Sequence, residues 1–129
     1  MKTVLFVCIE NACRSQMAEA FFNKFSKKGK AISAGTKPSI EVDLKAIRVM
    51  GELGIDMSNQ RPKTLTREMV KRADKVITMG CMDACPVTLP RKTIDWQIED
   101  PAGKSIEKFR EVRDVIKKKV KELIDEMPP

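Results

Sequence analysis

The pattern of apolar residues along the chain predicts strands that alternate with helices. Continuous apolar runs, typical of strands buried on both faces, cover Lys2–Val7 and Lys75–Met79. A shorter strand is predicted at Ala31–Ala34, and the alternating pattern of Thr93–Ile98 is typical of an edge strand. These segments supply the strands of one sheet.

Helical periodicity fills the segments between the strands. Apolar residues recur at helical spacing over Ser15–Phe25, a helix that we expect Gly29 to end. Thr66 is the expected N-cap of a short helix over residues 66–73. A single apolar stripe runs through Ser105–Met127, which predicts a long amphipathic helix.

A further helix is predicted over Val42–Leu53, with Leu44, Ile47 and Met50 facing inward and Gly54 stopping the helix. Strands alternating with helices form βαβ units, which build a parallel sheet with helices on both faces. The predicted fold is therefore α/β, a three-layer α/β/α sandwich around a central four-stranded parallel sheet.

Three reactive side chains follow predicted strands. Cys8 comes after the first strand, Cys81 after the third and Asp100 after the last. Ligands of such sheets bind outside the carboxyl ends of the strands. We therefore expect these three side chains at one edge of the sheet.

The length of 129 residues fits one domain, 1–129, and 42% hydrophobic with 33% charged residues is typical of a soluble globular protein. No apolar run approaches the roughly 20 residues of a membrane span, and the N-terminal apolar stretch is too short for a signal peptide. We expect a cytoplasmic monomer without a membrane partner.

The net charge of +7 raises the question of a nucleic-acid partner. The basic residues are spread along the chain, and the densest run, Lys117 to Lys119, lies in a helical pattern without interleaved aromatic residues. We therefore expect no nucleic-acid partner. A general positive field that attracts small oxyanions is compatible with this composition.

Four cysteines, Cys8, Cys13, Cys81 and Cys85, are present in a chain expected in a reducing compartment. There they are more often catalytic, redox-active or metal-binding than paired in structural disulfides. Their spacings are near those of structural zinc sites. A zinc site would leave Arg14 in a metal loop without a purpose, so we predict neither a metal nor another cofactor.

The stretch from Cys8 to Arg14, directly after the first predicted strand, contains a candidate nucleophile and a candidate oxyanion-binding side chain. A loop between a strand and a helix N-terminus can bind an anion through its N–H groups, and Arg14 adds a planar guanidinium that can bind two oxygens. Thiols in such positions are activated as thiolate nucleophiles. Ser15 can donate a hydrogen bond to Cys8, and Asn11 can fix the loop. The alternative is a buried cysteine with an unrelated surface arginine. The predicted oxyanion-binding residues are Cys8, Ile9, Glu10, Asn11, Ala12, Cys13, Arg14 and Ser15.

The stretch CIENACRS followed by MAEA resembles the phosphate loop shared by low-molecular-weight protein tyrosine phosphatases and thioredoxin-coupled arsenate reductases. The resemblance covers nearly the whole chain and implies their common fold. It implies that Cys8 is the nucleophile, Asn11 the loop residue, Arg14 and Ser15 the oxyanion and thiolate partners, and Asp100 of IEDPAGK the general acid.

The two branches of this family differ after the first attack of Cys8. A phosphatase lets water hydrolyse the phosphocysteine, whereas a reductase needs a second thiol to attack the arsenic adduct. The segment TMGCMDACPV offers Cys81 as that thiol and Cys85 as a third, which resembles the reductase relay reset by thioredoxin or a similar reductant. We therefore predict an arsenate reductase whose substrate is arsenate, with phosphate or sulfate as oxyanions that compete for the same loop.

Other details separate the chain from each branch. Phosphatases commonly carry tyrosines after the Asp-Pro pair, and this chain has none, which leaves a phosphatase as the second hypothesis. Only three residues separate Cys81 from Cys85, fewer than in the best-known reductases, so this segment must rearrange or be non-helical. Cys13 does not discriminate between the branches and is interpreted as a spare thiol or a protective disulfide partner of Cys8.

Some reductases bind a monovalent cation beside the loop. Asn11, Glu19 and Ser33 match positions of that site, but Lys63 stands where a key carboxylate would be. For this reason too, no bound metal is predicted.

Overall fold

A computed structural model describes residues 2–80 and 92–128 of the chain. Within these ranges four parallel strands form one sheet in the order β2-β1-β3-β4. The strands are β1 (Lys2–Cys8), β2 (Gly29–Gly35), β3 (Lys75–Thr78) and β4 (Thr93–Asp95). The predicted α/β fold with a four-stranded parallel sheet is confirmed.

Four helices are described beside the sheet. They are α1 (Arg14–Phe25), α2 (Leu44–Gly51), α3 (Arg67–Arg72) and α4 (Ile106–Glu126). One core cluster joins α1, α2 and α4 to one face of the sheet, and a second cluster joins α3 to the other face. The sheet is therefore the middle layer of three.

Strand β1 lies at the centre of the fold and is buried on both faces. Val4 and Phe6 pack in the first core cluster, while Leu5 and Val7 pack in the second, and none is more than 1% exposed. Because side chains alternate along a strand, Cys8 falls on the same face as Val4 and Phe6, the face covered by α1.

The N-cap predicted at Thr66 is confirmed. The hydroxyl of Thr66 accepts a hydrogen bond from the Met69 N–H at 3.2 Å, and Ser105 caps α4 through the Lys108 N–H. Gly54, after α2, has a left-handed φ of 77°. None of the helices in the described part of the chain is both long and apolar enough to cross a membrane.

Two predictions around the first and second helices are wrong. Gly29 does not end a helix, because α1 already ends at Phe25 and Gly29 begins β2, where a Cβ atom would lie 2.4 Å from the Lys2 carbonyl oxygen. Leu44 is 73% exposed rather than inward. It is the first residue of α2, and the buried residue Ala46, two positions on, lies on a different helix face.

The remaining expectations for α2 hold in part. Met50 is fully buried, and Ile47 is half-buried against the core. The helix is shorter than predicted at both ends. Strands β3 and β4 also end earlier than predicted, although the Trp96 N–H still donates to the Thr78 carbonyl at 2.8 Å beyond the end of β4.

Candidate active site at the carboxyl end of strand β1

The cysteine loop, residues 8–15, runs from the end of β1 into α1. Every carbonyl oxygen from Cys8 to Cys13 accepts a hydrogen bond from a group outside the loop. The donors, in chain order of the acceptors, are the N–H groups of Thr36, Lys37 and Ser39, the side-chain amide of Gln16, and the N–H groups of Asp43 and Met17, at 2.8–3.4 Å.

The outward carbonyls determine where the loop N–H groups point. Each peptide bond in the described residues is trans, so its N–H points opposite to its carbonyl oxygen. The N–H groups of residues 9–14 therefore turn to the concave side of the loop. The N-terminus of α1 lies at the same place, and together they form an anion-binding cradle.

Cys8 lies at the base of this cradle. Its Sγ is 2.9 Å from the Ser15 Oγ, and the Asn11 side-chain amide donates to the same oxygen at 2.7 Å. Asn11 and Ser15 are fully buried, and Asn11 takes a left-handed φ of 52°. The structure thus brings together three of the residues predicted for the loop.

Arg14 connects the cysteine loop to the ends of two other strands. Its Nη1 donates to the carbonyl oxygens of Met79, after β3, at 2.6 Å and of Ile98, after β4, at 3.0 Å. Its Nη2 lies 3.7 Å from a carboxylate oxygen of Asp100. With Nη1 committed to the backbone, Nη2 and Nε are the nitrogens left to contact an oxyanion.

Asp100 lines the same pocket as Cys8, as its position after the last strand predicts. One carboxylate oxygen accepts from the Ala102 N–H at 3.0 Å, and the other faces Arg14. The side chain is 47% exposed. A small pocket is lined by Cys8, Glu10, Ala12, Cys13, Arg14 and Asp100.

The other predicted loop residues have different surroundings. Ile9 is partly exposed at 36% and does not line the pocket, while Glu10 accepts from the Ser39 hydroxyl at 3.0 Å. Burial raises the pKa of the Cys13 thiol above its usual range, and the Asp43 and Asp100 carboxylates raise it further. These surroundings therefore favour the protonated form of the Cys13 thiol.

The residues compared with a cation site are also close together. Ser33 Oγ donates to the Glu19 carboxylate at 2.8 Å, and the Lys63 ammonium lies 3.8 Å from the same carboxylate oxygen. The Lys63 N–H donates to the Asn11 side-chain oxygen at 2.9 Å. The charge of Glu19 is thus partnered by the lysine that replaces the expected carboxylate.

Cys81 and Cys85 lie outside the described residues. The preceding residue, Gly80, has a left-handed φ of 77°, and its N–H donates to the Asp95 carboxylate at 3.2 Å. A Cβ atom at Gly80 would lie 3.2 Å from Arg14 Nη1. Strand β3, which leads to Cys81, pairs directly with β1.

Two amide side chains behind the loop are not among the residues predicted from the sequence. Gln16 is fully buried and contacts Asn11, and Gln60 contacts Gln16. A glutamine among the apolar positions of the first turn of α1 is the signal that would have drawn attention to this network, because a buried amide must find partners.

Comparisons with known proteins agree with this geometry. A family model described as low molecular weight phosphotyrosine protein phosphatase matches residues 3–128. Arsenate reductase 2 of Staphylococcus saprophyticus is 40% identical over 129 residues, which cover 96% of this chain and 97% of that protein. The glutaredoxin arsenate reductase of Synechocystis is 40% identical over 130 residues, with 96% and 97% covered.

Solved structures show the same two branches. The low molecular weight protein tyrosine phosphatase from T. tengcongensis matches with a TM-score of 0.90 at 31% identity, covering 98% of this chain and 100% of that one. An arsenate reductase in the phosphate binding state matches with a TM-score of 0.82 at 39% identity, covering 99% and 100%. The chain therefore belongs to the low molecular weight phosphotyrosine protein phosphatase family, whose fold it shares with arsenate reductases.

Proposed function

We propose that this protein is an arsenate reductase in which Cys8 begins a thiol relay through Cys81 and Cys85. The observation that carries the proposal is the cysteine loop, whose N–H groups and Arg14 surround the Cys8 sulfur with donors for a tetrahedral oxyanion. The identity to arsenate reductases over nearly the whole chain supports arsenate as the substrate.

In the first step the Cys8 thiolate attacks arsenic and forms a sulfur–arsenic bond. Asp100 donates a proton to the arsenate oxygen that departs as water. Arg14 and the loop N–H groups hold the remaining oxygens. Arsenic has not yet been reduced at this stage, because the adduct still contains arsenic(V).

In the second step the Cys81 thiolate attacks the Cys8 sulfur. The sulfur–arsenic bond breaks, its electron pair stays on arsenic, and arsenite leaves together with a Cys8–Cys81 disulfide. Cys85 then attacks the Cys81 sulfur, which frees Cys8 and leaves a Cys81–Cys85 disulfide. A dithiol reductant then reduces the Cys81–Cys85 disulfide and is itself oxidised to a disulfide. The reduction of one arsenate therefore consumes two electrons from the reductant.

Two dithiol reductants fit this last step, thioredoxin and glutaredoxin, and we propose thioredoxin or a similar protein. A reset of this kind needs a reducing compartment, which supports the cytoplasm as the location. Phosphate and sulfate, which share the tetrahedral geometry of arsenate, are expected to compete for the loop. A protein of one domain acting as a monomer satisfies every step.

A phosphatase is the second candidate, favoured by the family model and by the same arrangement of Cys8, Arg14 and Asp100. It would use Cys8 as the nucleophile and Asp100 as the acid, and would need neither Cys81 nor Cys85. The two activities therefore separate at Cys81.

The test compares Cys81→Ser with Cys8→Ser in two assays. With arsenate and thioredoxin, Cys81→Ser should lose multiple-turnover arsenite production, because the adduct on Cys8 has no resolving thiol. With para-nitrophenyl phosphate, the same variant should keep whatever hydrolysis the wild type shows, while Cys8→Ser loses both reactions. Full arsenate turnover by Cys81→Ser would contradict the relay, and wild-type hydrolysis without arsenate reduction would establish the phosphatase.

A further inference from the structure

Gln16, behind the cysteine loop, is among the largest fully buried side chains of the described residues. Polar side chains of this size are seldom fully buried unless their amide groups are hydrogen-bonded. The Gln16 amide nitrogen donates to the Asn11 carbonyl, the Asn11 side-chain oxygen and the Arg61 carbonyl, each at 3.0 Å. Its amide oxygen accepts from Gln60 at 2.7 Å.

Backbone groups determine which way each amide in this network faces. Gln16 must present its NH₂ group to two backbone carbonyl oxygens, those of Asn11 and Arg61. Asn11 must present its oxygen to a backbone donor, the Lys63 N–H. Gln60 in turn presents its NH₂ group to the Gln16 carbonyl at 3.1 Å. The donor and acceptor directions are therefore set without ambiguity.

These directions extend to Cys8. Because the Asn11 oxygen faces Gln16 and Lys63, its NH₂ group faces Ser15 and donates to the hydroxyl oxygen at 2.7 Å. Ser15 therefore acts as an acceptor toward Asn11, which leaves its single O–H available to donate to a Cys8 thiolate, whose sulfur lies 2.9 Å from the Ser15 oxygen and has no proton of its own to give. A hydrogen bond donated to a thiolate stabilises the charged form.

Gln16 also holds the main chain of Asn11. A non-glycine residue at a φ of 52° occupies a sparsely populated region and persists only where its surroundings hold it. The Gln16 amide nitrogen grips both the main-chain and the side-chain oxygen of Asn11. One buried amide thus fixes the residue that directs Ser15.

We propose that Gln16 is a positioning residue for the nucleophile: acting through Asn11, it directs the Ser15 hydroxyl to Cys8 and so stabilises the Cys8 thiolate. Gln16 does not line the pocket, and its side-chain hydrogen bonds run to Asn11, Arg61 and Gln60. The inference rests on the proposed function of Cys8 as the nucleophile, but it can be measured without arsenate.

The test is the pH profile of Cys8 alkylation by iodoacetamide, followed by mass spectrometry of the Cys8 peptide in the full-length protein. Gln16→Met keeps the length of the side chain and removes its amide. We expect the midpoint of the profile to rise by about one pH unit. Ser15→Ala should shift the midpoint in the same direction by at least as much.

Asn23→Leu is the matched control on α1. Asn23 also uses its amide for two hydrogen bonds, both to Ala31, away from the loop. We expect its loss to lower stability and leave the Cys8 midpoint unchanged. A folded Gln16→Met protein with a wild-type midpoint would overturn the inference, as would an equal shift in Asn23→Leu.

If the Gln16→Met protein does not fold, the pH midpoint of Cys8 alkylation in Gln60→Met tests the inference instead. Gln60 is only partly buried and supports Gln16 through two hydrogen bonds, so a smaller rise of the midpoint is expected, and no rise would overturn the inference. Failure of the proposed function would look different. Wild-type Cys8 would then react no faster than Cys13 at neutral pH.

Discussion

The cysteine loop and the aspartate segment, residues 98–104, face each other across the candidate site but are held by different interactions. Apart from the exposed Ile9 and Glu10, the loop is buried, and its hydrogen bonds run to backbone groups and to the amides of Gln16 and Asn11. The aspartate segment is exposed and is held largely by charges. Glu99 pairs with Lys104 and Lys108, and the Lys45 ammonium donates to the Lys104 carbonyl at 2.7 Å.

The difference teaches how the two reacting groups are positioned. Buried backbone hydrogen bonds are insensitive to salt, whereas exposed ion pairs are weak and are screened at physiological ionic strength. Cys8, the proposed nucleophile, therefore has a rigid environment, and Asp100, the proposed general acid, has an adjustable one. Arg14 joins the two regions through its contacts with Ile98 and Asp100.

Asp100→Asn should produce the largest effect on the aspartate side. The amide keeps the shape of the side chain but cannot give the proton that the departing arsenate oxygen needs. A general acid contributes roughly 10²- to 10⁴-fold, so we expect a loss of that order in the single-turnover rate of Cys8 adduct formation. Asp125→Asn, an exposed carboxylate on α4, should leave the rate unchanged. An Asp100→Asn rate within a few fold of wild type would remove Asp100 from the mechanism.

Gly35→Ala should produce the next largest effect, on the loop side. A Cβ atom at Gly35 would lie 2.6 Å from the Ile9 carbonyl oxygen and 2.9 Å from the Asn11 Cβ, so the loop must move. A displacement of this kind can cost about 100-fold in rate, which kcat/KM with arsenate would measure.

The matched glycine is Gly51 in α2, where an added Cβ atom would meet nothing within 4 Å. Gly51→Ala should keep full activity and raise stability by about 0.5–1 kcal/mol, because alanine favours the helix. If Gly35→Ala behaved like Gly51→Ala, the rigid description of the loop would be wrong.

The smallest expected effects are in the pH dependence of stability. The cysteine loop should respond at alkaline pH and the aspartate segment at acid pH. Burial raises the pKa of the Cys13 thiol. The contribution of this thiol to the free energy of unfolding is therefore complete below the usual thiol pKa and is lost as pH rises above about 8.5. The hydrogen bond to Lys104 lowers the pKa of the Glu99 carboxyl. The contribution of this carboxylate to the free energy of unfolding is therefore lost as pH falls below about 4.3. Urea midpoints from pH 3 to 10 would measure both.

Single variants assign the two slopes. Cys13→Ala should flatten the alkaline decline only, and Glu99→Gln the acid decline only. Since Glu99 is exposed, the acid slope should also shrink in high salt, whereas the alkaline slope should persist. Alkaline and acid slopes that both vanish in salt would erase the distinction between the regions.

The proximity of the residues of the cysteine loop could be predicted from the sequence because it is local. Cys8, Asn11, Arg14 and Ser15 lie within one strand–loop–helix connection. Asp100 could be placed because parallel strands end at the same edge. The predicted roles of Cys81 and Cys85 stay predictions.

The parts that could not be predicted depend on contacts between distant segments. Gln16 meets Gln60 and Arg61 across more than forty positions of the chain, and no periodicity indicates such a pairing. Apolar spacing predicts an inward Leu44 because it does not show where a helix begins. The sequence pattern likewise indicates a helix stop at Gly29, whereas the small size of this residue serves the close approach of Lys2.

The segment after β2 supports the loop with its main chain. Thr36, Lys37, Ser39 and Asp43 contribute backbone N–H groups, which every residue except proline possesses, and Pro38 occupies a position where no N–H is used. Substitutions along this segment can therefore be tolerated where insertions and deletions cannot, since a change of one residue in length would move every later donor out of step with its carbonyl. The cradle depends on a count of residues as much as on their identity.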